Sequence, residues 1–290
     1  MLYENPEVPH EVNVSHDSPV LTFVRLSATL VGLLVVLFVF VYFALRFGAQ
    51  YIPFSFENNL GQMIADKIAV LADEPSGKEK AALIKINALA KNLASHMGAP
   101  ADMPIYVHIM DDPTPNAFAT LGGHILITQG LIDKVHSENA LAMVIAHELA
   151  HVKNRDALVS AGVGITFAIV LAGVTSSGGE GGSLASIVPS LMQLTFSRKQ
   201  ESKADADGLK ALRSYYKHSM GAEEFFQLAL AEEPGFSKYI EFLQTHPNTK
   251  KRLLVILASQ NDDKQHALTP LPPEILAIQC NKDWRTGKYR

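Results

Sequence analysis

His147-Glu148-Leu149-Ala150-His151 restricts what this chain can fold into more than any other stretch. It lies within Ser137 to Asp156, which reads as a helix with Ser137 as N-cap and Glu138 in the first turn, at the positive end of the helix dipole. Two histidines four residues apart on a helix share one face, about 6 Å from each other. That spacing suits two imidazoles on one tetrahedral zinc ion, with Glu148 placed to take a proton from the zinc-bound water. Most other residues from Ala140 to Val152 are apolar, so the helix is buried on most sides. Two histidines and a glutamate in that setting cost free energy unless something satisfies them. The competing explanation is an ordinary buried helix whose histidines bond to their neighbours.

A second feature bears on where such a domain sits. Leu26 to Leu45 carries no charge and is bracketed by Arg25 and Arg46, with Tyr42, Phe43 and Phe47 near one end. About 20 apolar residues span a bilayer, and arginines at the ends can snorkel to its interfaces. A cleaved signal peptide is the other reading, but there is no basic n-region, the apolar run is too long, and no small-residue cleavage site follows. Lys and Arg are nearly balanced across the run, which leaves the orientation and the side of the catalytic domain open. Residues 1–20 are acidic, with Pro6, Pro9 and Pro19, and read as a polar tail. With 25 basic against 29 acidic residues the net charge is −4, and no basic patch interleaves with aromatics; nucleic acid is excluded as a partner. Cys280 is the only cysteine, so no intrachain disulfide forms.

Asn58 to Ala72 and Lys78 to Met97 show helical spacing on either side of Pro75-Ser76-Gly77. In the second, Ala82, Ile86, Leu89 and Leu93 form an apolar stripe of the kind that packs into a core. Ile105 to Met110 alternates and stops at Asp111-Asp112-Pro113, which marks a strand. Asn116 to Thr120 and His124 to Thr128 read as two more, joined as a hairpin at Gly122-Gly123. A short mixed sheet therefore precedes the zinc helix.

After the motif, Ala157 to Val174 is apolar, Ser176 to Gly182 is glycine-rich, and Leu184 to Phe196 is apolar again around Pro189. Two arrangements stay open: a membrane-inserted hairpin, or a pair of helices over the active site with a flexible tip as a lid. Catalytic zinc takes three protein ligands and leaves a fourth position for water. Glu201 and Asp205 lie four apart on a helix ending near Ser214, so Glu201 can bind zinc while Asp205 accepts a hydrogen bond from a ligand histidine. Asp207 points elsewhere, into solvent. His246, before Pro247 at the start of a helix over Thr249 to Ser259, is either a donor to the transition-state oxyanion or a capping histidine. The other histidines, among them His108, His124 and His136, have no partner motif and read as structural or exposed. Leu268 to Arg290 reads as a loosely docked tail.

With His-Glu-Leu-Ala-His, Glu201-x-x-Ala204-Asp205-x-x-Gly208, His246-Pro247-x-Thr249-x-x-Arg252 and Asn116-Ala117-Phe118-Ala119 together, the sequence resembles the M48 (Ste24-like) zinc metallopeptidases from about Ile105 to Arg252. His151-Val152-Lys153-Asn154-Arg155-Asp156 is similar to the heat-shock-related, HtpX-like bacterial membrane branch. The resemblance implies an α+β, mostly helical, gluzincin-like zincin domain with a short β-sheet, preceded by one transmembrane helix. It implies metalloendopeptidase activity in protein quality control and one zinc ion per chain held by His147, His151 and Glu201. Glu148 becomes the general base, Asp205 the residue that orients a ligand histidine, and His246 a transition-state stabiliser. Residues Asn116, Ala117, Phe118 and Ala119 become an edge strand to which an extended substrate adds. Partners would be protein or peptide substrates, misfolded or membrane proteins among them, and the lipid bilayer; the location would be a bacterial inner membrane. The prenyl-protein protease branch has seven spans where this chain offers one, or a hairpin more. The domains expected are a tail over 1–20, an anchor over 21–47, the peptidase domain over 48–265 with its apolar insert at 157–196, and a tail over 266–290. The rival readings are a membrane-anchored, chaperone-like binding protein with a structural zinc site, and a zinc hydrolase for something other than protein, such as a lipid or a peptidoglycan stem.

Overall fold

The computed structural model describes residues 18–57, 61–62, 66, 75–174, 194–230, 246, 249–260, 263, 265–279, 282–283 and 288–289, and all structural statements refer to these. The helical stretch expected over Asn58 to Ala72 and the glycine-rich segment after Val174 lie largely outside them.

The chain opens with α1, Pro19–Gly48, entered through a proline at its first turn. Its 30 residues measure about 45 Å, more than the hydrocarbon thickness of a bilayer. By length and composition it can cross a membrane, and none of its most apolar window is buried against the protein. Short 3₁₀ turns at Ala49–Tyr51 and Phe54–Glu57 follow. Helix α2, Gly77–Met97, starts in a capping box, where Ser76 Oγ accepts from the Glu79 N–H while Glu79 accepts from the Ser76 N–H, and it ends at Gly98 in the left-handed region. Its expected stripe of Ala82, Ile86, Leu89 and Leu93 is buried.

The sheet has order β1-β3-β2, with β1 at Tyr106–Met110, β2 at Ala117–Ala119 and β3 at His124–Thr128. The β1–β3 pair is parallel and β2–β3 is the antiparallel hairpin, so the sheet is mixed as expected. At the turn Gly123 holds φ +77°, and a Cβ there would run into the Pro104 carbonyl. Gly123→Ala should therefore cost at least about 2 kcal/mol from left-handed strain and overpacking, read as a lower urea midpoint.

After a short α3, Gln129–Ile132, comes α4, Glu138–Lys153, capped by Ser137 as expected. Every residue from Asn139 to Val152 is buried, because α2, β2 and the later α6 all pack on it. The helix is shorter than the sequence implied. It ends before Arg155, which takes φ +60°, and α5, Asp156–Val174, starts afresh. Helix α5 lies along α1, where Gly162 leaves room for Leu45. Helix α6, Arg198–Tyr216, is launched by a second capping box from Ser197 and Gln200. Then come α7, Glu224–Leu230, α8, Thr249–Ser259, and α9, Pro273–Leu276. The expected loose docking after Leu268 does not hold over residues 268–279. Leu271, Ile275 and Ile278 are buried, α9 packs on α2, and Gln279 donates to the Ile132 and Val135 carbonyls.

Candidate metal centre

Helix α4 supplies His147, Glu148 and His151, α6 supplies Glu201 and Asp205, and the turn before α8 supplies His246. All six are buried. The Nε2 atoms of His147 and His151 are 3.1 Å apart, and each is 3.5 Å from a Glu201 oxygen. A tetrahedral zinc ion with ligands at 2.0–2.1 Å separates neighbouring ligand atoms by about 3.3–3.4 Å. The triangle therefore has the size such an ion needs. His246 Nδ1 stands 2.9 Å from Glu201 Oε1 and 3.3 Å from His147 Nε2, and one atom from each of the four side chains falls within 4.8 Å of the others.

Glu148 lines the same space. Both its carboxylate oxygens are buried with no hydrogen-bond partner among the described residues, and His246 Nε2 is 3.7 Å from Oε1. A bare buried carboxylate is costly. It fits a centre in which a cation and its water complete the coordination, so the donor set suits a divalent metal of the zinc type.

Two carboxylates hold the histidine rings. His147 Nδ1 is 3.0 Å from Asp205, which Arg252 grips through Nε and Nη2, both at 2.7 Å. Arg252 also reaches Glu201 Oε2 at 2.6 Å through Nη1. His151 Nδ1 is 2.9 Å from Asp156, which in turn accepts from Gln200 Nε2 at 2.8 Å. Phe196 stacks on the His151 ring at 3.9 Å between centroids. Burial would raise the Glu201 carboxyl, but hydrogen bonds from His147, His151 and His246 outweigh it and hold it far below the carboxylate range. Burial likewise opposes the charged form of Asp205, and Arg252 and His147 pull its pKa down. Both acids are thus kept as anions facing the histidines.

Sequence reasoning placed Asp205 beside a histidine and left out Asp156, Arg252, Gln200 and Phe196. Asp156 is five residues from His151, a spacing that an unbroken helix would turn away. Asp207 does point away from the centre, but it is not simply solvated: it accepts from Asn154 at 3.2 Å and pairs with Lys153. Of the histidines without a motif, His108 and His124 bond to each other at 2.9 Å, where burial and then the His108 charge lower His124 to about 4. His136 pairs with Glu224 at 2.8 Å.

Strand β2 lies at the sheet edge and against α4. Asn116 and Thr120 turn their main chains toward β3, since the Thr128 N–H donates to the Asn116 carbonyl at 3.0 Å and the Thr120 N–H to the His124 carbonyl at 2.9 Å. By the two-residue period of a strand, the main-chain groups of Ala117 and Ala119 face outward from the sheet. The side chains of both alanines are buried, and Phe118 is half-buried.

A mostly helical domain with a small sheet and a buried His-Glu cluster across two packed helices is the architecture of a gluzincin-like metallopeptidase domain. The match to known proteins narrows this class: the model of peptidase family M48 covers residues 81–259, and the chain belongs to that family. The mitochondrial metalloendopeptidase OMA1 of Schizosaccharomyces pombe is 30% identical over 154 residues, 53% of this chain and 46% of the relative. Protease HtpX of Legionella pneumophila is 28% identical over 197 residues, 59% of this chain and 66% of the relative. The beta-barrel assembly-enhancing protease of Escherichia coli is 27% identical over 218 residues, 71% of this chain and 42% of the relative. The chain thus spans from under half to just under two thirds of the length of these relatives.

Proposed function

We propose that this chain is a membrane-anchored, zinc-dependent metalloendopeptidase that cuts exposed segments of proteins in quality control. The observation that carries the reading is the triangle of His147, His151 and Glu201 at 3.1–3.5 Å, with the Glu148 carboxylate beside it making no hydrogen bond among the described residues. His147, His151 and Glu201 would hold the zinc, which would supply Lewis acidity toward water and the scissile carbonyl. Glu148 takes the proton from the attacking water and passes it to the leaving amine. His246 steadies the oxyanion. Asp205 and Asp156 fix the tautomer and tilt of the two histidines. An extended substrate pairs with the outward main-chain groups of Ala117 and Ala119. Helix α1 would anchor the domain to the bilayer of a bacterial inner membrane, a reading supported by its length and apolar composition.

A second reading is a binding protein with a structural zinc site. The position of His246 Nδ1 favours it, because a fourth protein ligand would close the centre. Casein cleavage in mild detergent, before and after chelation and after zinc return, decides between them. Cleavage that disappears with chelator and returns with zinc is expected. A zinc-loaded chain that binds casein and leaves it intact would favour the second reading.

A further inference from the structure

The corner between α4 and α5 carries more than a metal site requires. Arg155 sits there at φ +60°, a conformation that glycine adopts far more readily. Its side chain is buried. The guanidinium lies over the Phe54 ring, 3.3 Å from the centroid, donating through Nη1 to Glu57 and through Nη2 to the Ile52 carbonyl. Glu57 is buried as well, and its other oxygen accepts the Gly122 N–H at 3.1 Å, at the turn between β2 and β3. Ile52, Phe54 and Glu57 belong to the stretch that follows α1. The residue after Arg155 is Asp156, whose carboxylate holds His151.

We propose that Arg155, held by Glu57, is a positioning residue that ties the segment after α1 to the metal site. It clamps residues 52–57 onto the α4–α5 corner, sets Asp156 against His151, and through Glu57 fixes the turn of the hairpin that carries Ala117 and Ala119. A buried ion pair is a poor source of stability, because desolvation offsets the attraction. Its use here is geometric. A planar fork, a stacked ring and a two-sided carboxylate admit one arrangement of three segments. Movement of α1 relative to the domain would thereby reach the His151 ring and the hairpin together. The inference rests on the metallopeptidase reading above for its catalytic consequence.

The test uses the full chain in detergent with Arg155→Gly, Arg155→Lys, Glu57→Gln and, as reference, Asp156→Asn. Arg155→Gly suits the backbone and removes the clamp. Glu57→Gln keeps the shape and loses one acceptor. In metal-free protein, amide exchange over residues 119–124 and 150–158 should rise about tenfold in both, with α2 unchanged. With Co2+ as the probe, their visible absorption bands should move toward those of Asp156→Asn. Casein turnover should fall about tenfold or more in kcat with KM within about twofold, and Arg155→Lys should recover part of it. If Arg155→Gly does not fold, Glu57→Gln carries the same expectations. Unchanged exchange and unchanged Co2+ bands would overturn the proposal, even where the unfolding temperature drops. If the wild type takes up no Co2+, the metal reading fails instead, and the exchange over 119–124 still decides whether the clamp exists.

Discussion

Glu148→Gln should keep a full complement of zinc and lose casein hydrolysis by about 10²–10⁴-fold in kcat. The side chain makes no hydrogen bond among the described residues, so an amide of the same shape breaks no network. On the proposed mechanism, what it removes is the proton acceptor. His147, His151 and Glu201 do not use Glu148 to stand where they do: Asp205, Asp156 and Arg252 hold them. Zinc content by atomic absorption and thermal midpoint should therefore match the wild type, while turnover falls and KM stays within about twofold. Wild-type turnover in this variant would remove Glu148 from the mechanism. Loss of zinc together with turnover would make it a ligand instead of a base.

The parts of this centre that the sequence made readable are those set by spacing within one unbroken helix. His147 and His151 share a face because four residues complete slightly more than a turn, and Glu201 and Asp205 share one for the same reason. The start of the first helix could be bounded from Ser137, whose hydroxyl accepts the Ala140 N–H, whereas the capping box of Ser197 and Gln200 that starts the second shows in the structure. The hairpin showed itself through its glycine pair, and α2 through its apolar stripe. What stayed hidden depends on breaks and long-range returns. An arginine with a positive φ leaves no mark in a sequence, so α4 was expected to run on through Asp156, and the carboxylate that holds His151 went unassigned. Arg252 could be seen as part of a motif, but its bridge between Asp205 and Glu201 exists only once α8 folds back on α6. Glu57 is a lone acid in an irregular stretch, with nothing nearby in sequence to pair it with Arg155. The tail does carry a signal in its sequence: Leu271, Ile275 and Ile278 recur at helical spacing, and prolines around them mark the start of α9.

Glu201 is the residue whose loss should do the most damage, and two substitutions separate its roles. It forms the third corner of the triangle with His147 and His151, accepts from His246, and neutralises one side of Arg252 at 2.6 Å. In Glu201→Ala the two histidines of α4 are left with no carboxylate to share the metal, so zinc should be lost on dialysis and hydrolysis with it. The buried Arg252 also loses one of the two carboxylates it grips and keeps its contact with Asp205. Removing one member of a buried charge network costs about 3–5 kcal/mol. The metal-free variant should therefore unfold at lower urea than metal-free wild type, a difference that zinc cannot cause. Glu201→Gln keeps an oxygen for Arg252 or for the metal but not the charge. It should retain more stability than Glu201→Ala while still binding zinc weakly, because a neutral amide is a poor ligand beside two imidazoles. The ligand role thus appears as the gap in zinc content between wild type and both variants. The structural role appears as the gap in metal-free urea midpoint between Gln and Ala. Full zinc content in Glu201→Ala would take Glu201 out of the ligand set and hand its place to His246, the other side chain with a nitrogen already in the cluster.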